Sequence, residues 1–192
     1  MNFLAHLYLS PNEPGIVFGN FIADAVKGKD SERYPHVIRL GIQFHRFIDQ
    51  TTDSHPVFQR ACDRLKPLTG RFAGVAADII FDHFLASDWQ SYSSEPLPDF
   101  AMRCYQLVEE WQEWLPPKAA RIFYHMKMNN WLVNYAEKEF LERVFKGMSG
   151  RVSRSELMLN SFEALNGSYA LLQEDFTHFF PELCEAAGSY KF

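Results

Sequence analysis

Apolar residues recur along this chain at intervals of three and four, the spacing of one face of an α-helix. The pattern is densest over Ala76–Trp89 (AADIIFDHFLASDW), where Ile79, Ile80, Phe81, Phe84 and Leu85 predict a buried helix. Upstream, Met1–Leu9 groups short apolar runs around His6 and reads as a short helix ending at the Ser10–Pro11–Asn12 turn. Ile16, Phe18, Ile22 and Val26 predict a second helix, opened at Pro14–Gly15 and closed by Gly28, with a polar surface loop over Lys27–Pro35. Val37, Leu40, Phe44, Phe47 and Ile48 mark a third over His36–Gln50. Val57–Leu68 follows Pro56 as a fourth, with a break at Pro67–Gly70. Beyond Trp89, a loop bearing Pro96 and Pro98 leads into Phe100–Leu115, then helical segments within Lys118–Tyr135 and over Ala136–Met148. The last helix, Glu156–Phe180, carries an interruption near Asn166–Gly167. No stretch reads as a strand and no repeat is visible. The expectation is a single all-α domain over residues 1–192 with nine or ten helices.

Ionisable residues break this apolar pattern at particular places. Asp78 and Asp82 lie one turn apart in the densest helix, on one face, with His83 at its edge. Two buried carboxylates so close need a positive partner, and a divalent cation would serve. A capped or salt-bridged Asp78 beside a surface Asp82–His83 edge would serve equally. His45 and Asp49 are four apart on another face, with Arg46 about 100° away. Asn20 and Asp24 are likewise four apart, and Asp24 stands between two alanines. With His6, these groups all fall at or before His83, whereas the later His125 and His178 read as structural and His55 as a cap. Mixed imidazole and carboxylate suit Mn²⁺, Fe²⁺, Zn²⁺ or Mg²⁺, with the oxygen-rich balance leaning to harder ions.

Several chemistries are disfavoured by what the chain lacks. There is no H-E-x-x-H, no pair of Glu-x-x-His helices, no glycine-rich nucleotide loop and no G-x-S-x-G. A net charge of −5 argues against a general nucleic-acid binder. Three scattered cysteines, Cys62, Cys104 and Cys184, fit a reducing compartment better than a disulfide framework or zinc ribbon. The N-terminus has no basic leader, and no run approaches the roughly 20 apolar residues of a membrane span. The expectation is a cytoplasmic protein with no membrane association.

Longer blocks then carry a likeness. MNFLAHLYLS, G-N-F-I-A-D (Gly19–Asp24), G-I-Q-F-H-R-F-I-D-x-x-T-D (Gly41–Asp53) and D-I-I-F-D-H-F-L-x-x-x-W (Asp78–Trp89) closely resemble the acyl carrier protein phosphodiesterase family. W-L-V-x-Y (Trp131–Tyr135) and the G-M-S-x-R turn (Gly147–Arg151) extend the resemblance over nearly the whole chain. It implies an HD-phosphohydrolase-like bundle and hydrolysis of the phosphodiester joining 4′-phosphopantetheine to a serine of holo-acyl carrier protein, with a divalent cation, Mn²⁺ favoured over Mg²⁺, Fe²⁺ or Co²⁺. The usual HD doublet is reversed here as Asp82–His83, so ligands cannot be carried over by order alone. Helical faces under that resemblance suggest Asp24, His45, Asp82 and His83 as metal ligands. Asp49 and Asp78 would orient ligands, hold a second ion or serve as base. His6 would be a further ligand or an acid, and Arg46 would hold the phosphate. An acidic carrier protein calls for a basic docking face, either Lys118, Arg121 and Lys127 or Arg143, Lys146, Arg151 and Arg154. The alternatives are a fold-mate acting on a nucleotide or other small phosphoester, and a carrier-binding module without chemistry.

Overall fold

A computed structural model describes residues 1–149 and 155–192; Arg151 and Arg154 of the second candidate docking cluster lie outside the described residues, as does the end of the Gly147–Arg151 turn. Among the described residues the chain forms ten α-helices and no strand, in the order α1 (Phe3–Leu9), α2 (Pro14–Ile22), α3 (His36–Ser54), α4 (Pro56–Thr69), α5 (Ala73–Ser87), α6 (Leu97–Glu110), α7 (Pro117–Met128), α8 (Trp131–Asn134), α9 (Lys138–Met148) and α10 (Ser161–Gly188). The all-α expectation is met.

The helix pair that matters most for the site is α2 against α3. Gly19 and Gly41 face each other across it: a Cβ on Gly19 would lie 2.1 Å from the Ile38 carbonyl oxygen, and one on Gly41 would lie 2.2 Å from that of Ile16. Only glycine lets the two backbones come this close. On α3 the buried stripe Ile38, Ile42, His45 and Ile48 repeats at helical spacing, so the close contact also sets where His45 meets α2.

α5 is the central rod. Ala76, Ala77, Ile79, Ile80, Phe81, Phe84 and Leu85 are all at most 2% exposed, with α1, α4, α8, α9 and α10 packed around it. A helix apolar on nearly every side has to be enclosed in this way. Phe58, Phe81, Phe176 and Phe179 form an aromatic knot where α4, α5 and α10 meet. Beside it the buried Asp175 carboxylate of α10 accepts from Arg60 at 2.6 Å and Arg64 at 2.8 Å on α4. Two guanidinium partners supply the counter-charge that a carboxylate there requires.

Element ends differ from expectation where prolines and glycines have local alternatives. α4 runs through Pro67 and stops at Gly70, whose φ is 56°. Pro67 lies on the exposed face, as does Asp63, whose carbonyl the missing proline N–H leaves to water. The expected loop after Lys27 contains a 3₁₀ turn, Gly28–Arg33, and stays at the surface. Lys118–Tyr135 is split where Asn130 adopts φ 44° between α7 and α8. The long C-terminal helix has non-helical backbone at Ser168, next to the expected Asn166–Gly167 interruption, and continues to Gly188.

Candidate metal centre

Four helical segments bring one polar cluster together in this apolar interior. His6 of α1 and His45 of α3 stack with ring centroids 3.9 Å apart. The side-chain oxygen of Asn20, on α2, lies 3.0 Å from His6 Nδ1 and 2.9 Å from His45 Nδ1. Its amide nitrogen donates to the His6 carbonyl and to Ser10 Oγ, both at 2.8 Å. A carbonyl can only accept, so that pair of bonds sets the amide's orientation and turns Oδ1 toward both rings. Each ring then donates its Nδ1 proton to Asn20 and presents Nε2 to the opposite side. There Asp49 Oδ1 is 3.1 Å from His6 Nε2, and Asp49 Oδ2 is 3.2 Å from His45 Nε2. Asp24, in the 3₁₀ turn after α2, places Oδ1 3.5 Å from His45 Nε2.

Ligand atoms of His6, His45 and Asp49 all lie within 4.8 Å of one another. Two imidazole nitrogens and a carboxylate, with a second carboxylate at the rim, are a donor set that suits a divalent transition ion. The Asn20 bonds match the outer contacts that ordinarily fix a ligating histidine's ring. Without an ion the two rings differ in charge. Burial, then the neighbouring His45 charge, pushes the His6 pKa down to about 4. Burial also works against a charge on His45, but hydrogen bonds to Asp24 and Asp49 outweigh it and raise the pKa to about 9. Asp49 is held far below the usual carboxylate range because bonds from His45 and His6 overcome its desolvation.

The two acids of α5 face elsewhere. Asp82 is fully buried and accepts from the backbone N–H groups of Leu4 at 2.7 Å, Ala5 at 3.2 Å and Asn2 at 3.3 Å. It caps α1, which has no side-chain cap of its own. Burial raises its pKa to about 7 against those bonds. Asp78 pairs with the Met1 ammonium at 2.7 Å; burial raises its pKa too, opposed by that ammonium. The Met1 ammonium and the first backbone N–H groups of α1 occupy the face that Asp78 and Asp82 share. By holding α1, Asp82 also fixes where His6 enters the cluster. His83 is separate again, its Nδ1 donating to the Tyr135 carbonyl at 2.8 Å and its Nε2 2.9 Å from the Tyr169 hydroxyl. Arg46 is exposed and opens onto another cavity of about 390 Å³, shared with His36, Arg39 and Gln43. Of the residues expected to ligate, the structure therefore gathers Asp24 and His45, adds His6 and Asp49, and leaves Asp82 and His83 outside the cluster. Asn20 was not singled out for a role; its only signal was the four-residue offset from Asp24.

Among the described residues, an all-helical fold around a His–Asn–His–Asp cluster defines an α-helical protein whose clustered donors could hold a divalent ion. A family model described as acyl carrier protein phosphodiesterase matches residues 1–183. Proteins carrying that name from Enterobacter sp. (strain 638), Escherichia coli O157:H7 and Klebsiella pneumoniae are similar to this chain. They are 34%, 32% and 33% identical, over 95%, 98% and 97% of both chains respectively. The chain belongs to the acyl carrier protein phosphodiesterase family. No solved structure matches it. No helix among the described residues is long and apolar enough to cross a membrane.

Proposed function

We propose that this chain hydrolyses the phosphodiester linking 4′-phosphopantetheine to a serine of holo-acyl carrier protein, with a divalent ion, Mn²⁺ favoured, held at the cluster. The observation that carries the reading is the pair of Nε2 atoms turned by Asn20 toward Asp49, in a chain of this family. His6, His45, Asp49 and Asp24 would hold the ion. Such an ion, when bound, supplies Lewis-acid polarisation of a phosphoryl oxygen and eases deprotonation of water. Asp78 lines the adjoining cavity with its carboxylate part-exposed; one oxygen pairs with the Met1 ammonium, and the other would take the proton of the attacking water. Water adds to phosphorus, the P–O bond to serine breaks, and the products are the serine hydroxyl and 4′-phosphopantetheine.

The test combines two measurements on wild type, His45→Ala and Asp49→Ala: Mn²⁺ binding by calorimetry, and release of free phosphopantetheine thiol from holo-carrier protein. Both should be lost together in the variants while helical content is kept. Full Mn²⁺ affinity and turnover in both variants would refute the site. Turnover of a small phosphodiester without any release from carrier protein would instead favour a small-phosphoester enzyme.

A further inference from the structure

Asp24 has two settings. Its Oδ1 approaches His45, and the residue also lines a cavity of about 530 Å³. That volume is within the range that encloses small-molecule ligands. The cavity lies between α5 on one side and α7, α8 and α9 on the other, with Phe3 from α1. Val75, Ile79, Ile122, Trp131 and Val144 make its walls predominantly apolar, and Val75 is 40% exposed although it sits on the central helix. Beside the Met1 ammonium, which Asp78 pairs, Arg143 lines the cavity too, lying over the Phe140 ring at 5.5 Å and making no ion pair among the described residues. At the rim Lys118 donates to the Asp24 carbonyl at 3.1 Å, and with Arg121 it lines the neighbouring cavity.

A phosphodiester placed at the cluster carries two substituents. The serine belongs to a folded carrier protein that stays outside, whereas the pantetheine arm is a thin chain with two methyl groups at its pantoyl end and two amides. We infer that the arm lies in this groove, its phosphate at the Asp24 end and its chain against Val75, Ile79 and Val144, on the wall that Arg143 shares. The inference rests on the carrier-protein reading and adds where the prosthetic group sits. It is supported by Asp24, which the groove shares with the cluster, by the match of apolar walls to a largely uncharged chain, and by Arg143, which has no ion-pair partner among the described residues.

Binding of free 4′-phosphopantetheine, the reaction product, to the Mn²⁺-loaded protein tests it by calorimetry. The proteins compared are wild type, Val144→Trp on one wall and Val75→Trp on the other, with Mn²⁺ affinity showing that the cluster is intact in each. Filling the groove from either wall should weaken phosphopantetheine binding about tenfold or more and raise KM for holo-carrier protein. Absent binding to wild type, or equal binding to all three, overturns the groove. Failure of wild type to cleave holo-carrier protein would instead overturn the reading on which the groove rests, so the two failures are separable.

Discussion

Asn20 shows how much of the site depends on a residue with no chemistry of its own. Its single carbonyl oxygen accepts from two imidazoles, so both present the same nitrogen to Asp49. His45 and Asp49 could be read in the sequence because a four-residue offset on an apolar helix puts both on one face. The fate of Asp82 could not. A carboxylate on a buried helix has the same sequence signature whether it faces a metal ion or the first turn of another helix, and here it faces Leu4 and Ala5. The charge on His45 has a measurable consequence in the metal-free protein. Its folded pKa, about 9, stands above the ordinary 6.5, so its stabilisation is complete below about pH 6.5 and is lost as pH rises through about 9. The Met1 ammonium, also raised by Asp78 in spite of burial, adds to the slope at the upper end. Unfolding temperature of EDTA-treated wild type should therefore fall more steeply than that of His45→Gln across this interval. Mn²⁺ affinity should move the other way, because the ion requires the nitrogen unprotonated. Parallel stability curves for the two proteins would remove His45 as the titrating group.

At the scale of elements, the α2–α3 contact is the mechanical basis of the cluster, since it brings Asn20 and Asp24 against His45. Helical periodicity revealed both helices, and glycines at Gly19 and Gly41 were visible, but nothing local says that two glycines 22 residues apart will face each other. Gly41→Ala would place a methyl 2.2 Å from the Ile16 carbonyl oxygen and 2.8 Å from the Asn20 nitrogen. The helices must part to admit it. The expected cost is about 1–3 kcal/mol, read by chemical denaturation, together with weaker Mn²⁺ binding. Gly74→Ala, where no heavy atom lies within 4 Å of the added Cβ, is the control and should be at least as stable as wild type. Equal stability of Gly41→Ala and wild type would contradict the close-contact account.

Across the whole molecule, the all-α class was readable because apolar spacing stays helical from end to end. The meeting of α1, α2, α3 and the turn that carries Asp24 at one place was not, because it depends on long-range packing between segments separated by loops. The net charge of −5 also conceals a local feature: Lys118, Arg121 and Arg143 flank the groove beside the cluster. Lys127, by contrast, is paired with Glu109, and Lys146 with Glu142 at 2.7 Å. An acidic carrier protein docking on this flank should make KM rise with salt. Arg121→Glu should raise KM at low salt several-fold and flatten the salt dependence, with little change in kcat. An unaltered salt profile in that variant would place docking on another face.

The most direct measurement is the intact mass of holo-acyl carrier protein incubated with this protein in Mn²⁺ and, in parallel, in EDTA. Loss of the 4′-phosphopantetheine mass with Mn²⁺ and its retention with EDTA is the expected result. A carrier protein of unchanged mass, with Mn²⁺ verified at the cluster, would contradict the proposed reaction.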